Sequence, residues 1–137
     1  MNRVLLGLTA SVLAIALTGC VTSGSSMSSS AERLERSSYV LERNSRDDGV
    51  RAGFHTDALA LAEEARDFRR TLGDSRADNR DLRAAFSDLS RRYHALRDEV
   101  EHSNDRDVAR DFAAVTDAYL DIERELEHGR KDRYARD

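Results

Sequence analysis

The 137-residue chain has no proline, no tryptophan, one cysteine and seven glycines. So few forced breaks disfavour a turn-rich β fold and favour long helices. A single cysteine excludes an intramolecular disulfide and any site built from several thiolates. Aromatic residues make up only 6%, so a core must come mainly from aliphatic side chains. The length fits one domain. There is no GxSxG, GxxxxGK, HExxH or CxxCH signature, so the usual sequence grounds for an enzyme are missing and no catalytic residue is expected. Charged residues are abundant at 35%, with 22 basic against 26 acidic side chains. That acidic balance disfavours nucleic acid as a partner.

The N-terminus carries the first positive signal, MNRVLLGLTASVLAIALTGC. Arg3 supplies a positive start. Val4 to Leu17 then forms a 14-residue run that is apolar apart from Gly7, Thr9 and Ser11. A spanning helix needs about 20 apolar residues, so the run has the length of a secretory signal instead. It leads into Leu17-Thr18-Gly19-Cys20, and Cys20 is the only cysteine in the chain.

Those four residues resemble the lipobox of bacterial lipoproteins: an aliphatic residue, a small residue, Gly or Ala, then Cys. The resemblance covers residues 1–20 only. It implies a signal peptide over 1–19, cleavage between Gly19 and Cys20, and covalent lipid on Cys20, with no other cofactor expected. Val21 in place of an Asp after the lipidated cysteine implies an outer-membrane destination with the body facing the periplasm. Two or three acyl chains hold a protein stably at a membrane, whereas one does so only marginally.

Residues 20–30 continue as CVTSGSSMSSS. A Ser-rich stretch of this kind is expected to act as a flexible tether, with a reach of about 20 Å.

Beyond it, three segments carry apolar residues at steps of 4, 3, 4, 3 and 4. The first is Phe54, Ala58, Leu61, Ala65, Phe68 and Leu72. The second is Leu82, Phe86, Leu89, Tyr93, Leu96 and Val100. The third is Val108, Phe112, Val115, Tyr119, Ile122 and Leu126. Each is the heptad seam of a packed helix about 27 Å long. Pairing them in opposite directions places Ala58 with Phe112 and Ala65 with Tyr119, small against large, as close packing requires. Short connections make neighbouring helices antiparallel. The expected fold is therefore all-α, an antiparallel three-helix bundle within a domain spanning 31–130. Residues 31–46 are less regular. Leu34 and Leu41 stand seven apart, so this stretch reads either as a fourth helix docked on the bundle or as the start of a long first one. Gly73 suits a left-handed helix end, Asp74 and Ser75 suit the next N-cap, Gly129 suits a stop, and 131–137 reads as a frayed tail.

The seams hold no charged residue, and their only polar atoms are the hydroxyls of Tyr93 and Tyr119. The residues left for chemistry are few. In the bundle the start of the first seam meets the end of the second, which brings His55, His102 and Asp107 to one end. Two imidazoles and a carboxylate are ligands for Zn²⁺ or Cu²⁺. The leading expectation is a membrane-anchored, non-enzymatic bundle serving as an envelope interaction or structural module, with an envelope protein as partner. The alternative is a metal- or small-ligand-binding sensor built on those histidines. The seams also allow pairing between chains as a homodimer.

Overall fold

A computed structural model describes residues 23–47 and 53–134, with side chains placed for 26–46 and 53–129. Among the described residues the chain is all-helical. Four helices succeed one another: α1 (Ser23–Asp47), α2 (Phe54–Gly73), α3 (Asn79–Ser103) and α4 (Arg106–Tyr134). No strand occurs among them.

The helix count exceeds the three heptad segments because α1 carries a seam of its own. Met27, Ala31, Leu34, Ser38, Leu41 and Ser45 are all buried, at the same 4, 3, 4, 3, 4 steps. Two of these six positions are serines, which hides the seam from an apolar-periodicity reading. The serines are satisfied locally. Ser38 Oγ donates to the Leu34 carbonyl at 2.9 Å and Ser45 Oγ to the Leu41 carbonyl at 2.6 Å. A helix can bury a hydroxyl in this way without leaving an unpaired polar atom.

The Ser-rich stretch also departs from expectation. Residues 23–30, expected as flexible tether, form the first two turns of α1, with Met27 and Ser30 buried. Serine has only a modest helix penalty, and packing of Met27 and Ala31 against the bundle outweighs it. Residues 20–22 and the signal segment lie outside the described residues.

α1 lies between α2 and α4, and α3 touches α2 and, lightly, α4. α1 and α3, like α2 and α4, have no close backbone approach. The neighbour of α2 that the three-segment pairing assigned to α4 is thus α1. α1 and α2 share the most extensive backbone approach, and their seams carry small residues: Ala31, Ser38 and Ser45 on one, Ala58 and Ala65 on the other. Between α3 and α4 the space is filled by rings instead, which holds the two backbones apart.

Cross-helix partners show how the elements run. On α1 and α4, Ser26 donates to Glu125 at 2.7 Å, Arg33 pairs with Asp121, and Asn44 donates to Asp111 at 2.6 Å. The contacts descend α4 as they climb α1. On α3 and α4, Phe86 meets Tyr119 at 5.7 Å and Tyr93 meets Phe112 at 5.6 Å, again in opposite order.

The turns differ in detail from the sequence reading. Gly73 is the last residue of α2 rather than a left-handed cap. Asp78, not Asp74 or Ser75, is the N-cap of α3: its carboxylate accepts from Arg80 N at 2.6 Å and Asp81 N at 3.0 Å, and the Asp81 carboxylate accepts from Asp78 N in return. This reciprocal box satisfies donors that the first helical turn leaves open. The left-handed position belongs to Asn104, at φ 54°, which ends α3. Asp105 then accepts from Asp107 N and Val108 N at 2.9 and 3.2 Å. α4 runs through Gly129 to Tyr134, past the stop expected there.

Candidate functional site

Cys20 and Gly19 lie outside the described residues, but the described fold begins close to them. α1 starts three residues after Cys20. The start of α1 shares one end of the fold with the α2–α3 turn and the later turns of α4.

That end is unlike the other. At the far end the terminal seam residues Phe54, Val100 and Val108 are buried. At the end where α1 starts, Leu72, Leu82, Phe86 and Leu126 are only half-buried. These four stand as an exception to the otherwise buried seams, which also enclose Leu61, Phe68, Leu89, Tyr93, Leu96, Phe112, Val115, Tyr119 and Ile122. A pocket of about 270 Å³ opens there between α3 and α4, with Leu82, Phe86 and Leu126 inside and Arg83, Glu123 and Glu127 at its rim.

Rings run along the α3–α4 boundary. Tyr93 and Tyr119 stack at 3.8 Å with an interplanar angle of 9°, Phe86 lies beyond Tyr119 and Phe112 beyond Tyr93. His94 sets its edge against both tyrosines at 5.2 and 5.9 Å while remaining exposed. The hydroxyls are paired. Tyr93 donates to Thr116 at 3.2 Å, and the Tyr119 hydroxyl lies 2.8 Å from Ser90 and donates to Glu123 at 3.4 Å. Burial pushes the Tyr119 phenol above its ordinary value of 10.0, the Glu123 charge adds to the rise, and the Ser90 bond partly offsets it. These groups tie α3 to α4, and Glu123 also stands at the rim of the pocket between the two helices.

The metal candidates are not gathered into a site. His102 Nδ1 lies 2.6 Å from the Asp98 carbonyl of its own helix. Asp107 pairs with Arg110 at 3.0 Å, and His55 lies 3.4 Å from the Thr56 hydroxyl. Among the described residues, no three His, Cys, Asp or Glu side chains stand close enough to hold a metal ion. Each of the three instead has a partner within its own helical turn. Two Glu-x-x-His stretches, Glu99–His102 and Glu125–His128, carry the spacing of metal-binding bundles. They fall at the end of α3 and late in α4, so they lie at opposite ends of the molecule.

Of the acidic run Asp121, Glu123, Glu125 and Glu127, the first three have partners. Asp121 pairs with Arg33 and Arg124, Glu123 accepts from Tyr119, and Glu125 accepts from Ser26. Along the exposed helix faces, Asp67 pairs with Arg70 at 2.9 Å and Asp88 with Arg91.

No family model matches the chain, and no curated protein or solved structure matches it.

Proposed function

We propose that the chain is a lipoprotein held to the envelope through lipid on Cys20. Its body is an antiparallel helical bundle that acts as a non-catalytic interaction or structural module on the periplasmic side of the outer membrane. The observation that carries this reading is the run from Arg3 through the apolar segment to Leu17-Thr18-Gly19-Cys20, with the sole cysteine at its end. The opposed order of contacts between α1 and α4, and between α3 and α4, supports the antiparallel arrangement. The paired polar groups of the core support a holding role. Tyr93 with Thr116, Ser38 and Ser45 with their own backbone, and Asn44 with Asp111 all tie helices or turns together.

The test of the module reading is crosslinking of intact envelopes and recovery of the chain with whatever is joined to it. A partner captured reproducibly above an unrelated bundle with the same lipid anchor is the expected result. Recovery indistinguishable from that control counts against it.

A further inference from the structure

The early start of α1 changes what the anchor does. Ser23 is three residues from Cys20, a span of at most about 11 Å of extended chain. From Ser23 to the Met27 layer is about 6 Å of helix. The lipid attachment point is therefore within about 17 Å of the last core layer, far less than the length of the bundle. α4 runs about 12 Å beyond Leu126 toward the same side, a distance comparable with the greatest reach of the chain that leads back from Ser23 to Cys20.

Two features of that end suit a phospholipid surface. Its seam residues Leu72, Leu82, Phe86 and Leu126 are left half-open, whereas those of the opposite end are closed. Its exposed charges are of both signs, with Asp74, Asp78, Asp81 and Glu127 standing beside three arginines. Asp74, Asp78 and Asp81 turn their carboxylates onto backbone N–H groups of the α2–α3 turn. Arg76, Arg80 and Arg83 are exposed and form no ion pair with any described residue. Guanidinium groups pair with phosphate in a planar, two-pronged geometry that ammonium groups do not reproduce.

We propose that this end of the bundle faces the lipid surface and leans on it. Arg76, Arg80 and Arg83 take phosphate oxygens of the headgroups, and the half-open apolar end lies toward the membrane. The inference rests on lipidation of Cys20. The body is then held close to the bilayer in one orientation, presenting the far end, with the α3–α4 turn at Asn104–Asp105, to the periplasm.

The experiment uses the mature lipidated chain reconstituted in vesicles of phosphatidylethanolamine and phosphatidylglycerol that carry a surface acceptor dye. A donor is placed through Ser75→Cys at the α2–α3 turn, or through Glu101→Cys near the far end. Both positions are exposed, and a lipidated Cys20, being a thioether, does not label. Intact mass of the same sample reports the lipid. The expected result is energy transfer at least two-fold greater from position 75 than from 101, with the difference narrowed by the combined variant Arg76→Gln, Arg80→Gln, Arg83→Gln. Equal transfer, or more from 101, in a sample whose mass shows the lipid overturns the orientation and leaves the anchored reading standing. A difference unchanged by the arginine variant overturns the headgroup contact. An unmodified Cys20 overturns both the inference and the reading beneath it.

Discussion

Leu34 is the residue whose truncation best separates a working α1 from a decorative one. It is 0% exposed and sits on the α1 seam between Ala31 and Ser38. Replacing it with Ala removes three carbons from a close-packed site. Buried Leu→Ala changes cost about 2–5 kcal/mol, the range reflecting how far the surroundings collapse. Its seam neighbours Ala31 and Ser38 have little side chain to swing into the gap, so the upper half of that range applies. For a body of this size, 1 kcal/mol corresponds to about 4 °C in melting temperature. Leu34→Ala should then lower Tm by about 14–20 °C, read by far-UV circular dichroism on the chain carrying Cys20→Ser. Val40→Ala provides the control on the same helix, because Val40 is 48% exposed and its loss should stay within about 0.5 kcal/mol. If the melting temperature of Leu34→Ala is indistinguishable from that of its parent, α1 is not part of the core and the four-seam bundle is wrong.

Single features carry further expectations. Because burial raises the Tyr119 phenol above 10.0, the folded state holds that proton more tightly than the unfolded chain. Its stabilising share is complete below about pH 10 and is lost as pH climbs through the folded-state value; urea titrations from about pH 9 to 11 should show a steeper loss in the parent than in Tyr119→Phe, and parallel curves would contradict the assignment. Gly73→Ala should stabilise by about 0.5–1 kcal/mol, since Gly73 is helical and an added Cβ meets nothing within 4 Å; a destabilised variant in chemical denaturation would mean that the turn needs glycine after all. Asp78→Ala, which removes the α3 cap, should cost about 0.5–2 kcal/mol by the same measurement, and no change would show the cap to be idle. Phe68→Ala should cost more than Phe86→Ala, because Phe68 is fully buried and Phe86 stands at the half-open end; the reverse order of unfolding midpoints would place the core boundary elsewhere.

How much of this was legible from residues alone depends on what each seam is made of. The seams of α2, α3 and α4 are built from aliphatic and aromatic side chains, so their period stands out against the charged background. The α1 seam has the same period but spends two of its six positions on Ser38 and Ser45. A buried serine bonded to its own helix is chemically content, yet it reads as polar in any hydrophobic pattern. The Ser-rich opening compounds the problem: Met27 and Ala31 are the only buried apolar side chains among residues 26–33, too few to signal a helix. Gly73 misled in the other direction, because a glycine near a helix end suggests a left-handed cap, and here the capping box of Asp78 and Asp81 makes the turn without one. The histidine candidates depend on side-chain direction, which spacing does not carry. His55, His102 and Asp107 do belong to one end of the bundle, but His102 turns back to the Asp98 carbonyl and Asp107 turns to Arg110. Proximity of helix ends is thus not proximity of ligands. The asymmetry between the closed end and the half-open end where α1 starts had no signature in the period at all, since Leu72, Leu82 and Leu126 occupy ordinary seam positions.

Anchorage of the bundle through Cys20 is tested most directly by the intact mass of the native protein recovered from fractionated envelopes. The expected species is a chain beginning at Cys20, heavier than its sequence by a thioether-linked diacylglycerol and an amide-linked acyl group, in the outer-membrane fraction. A chain that retains residues 1–19, or one that carries Cys20 as a free thiol, would contradict it.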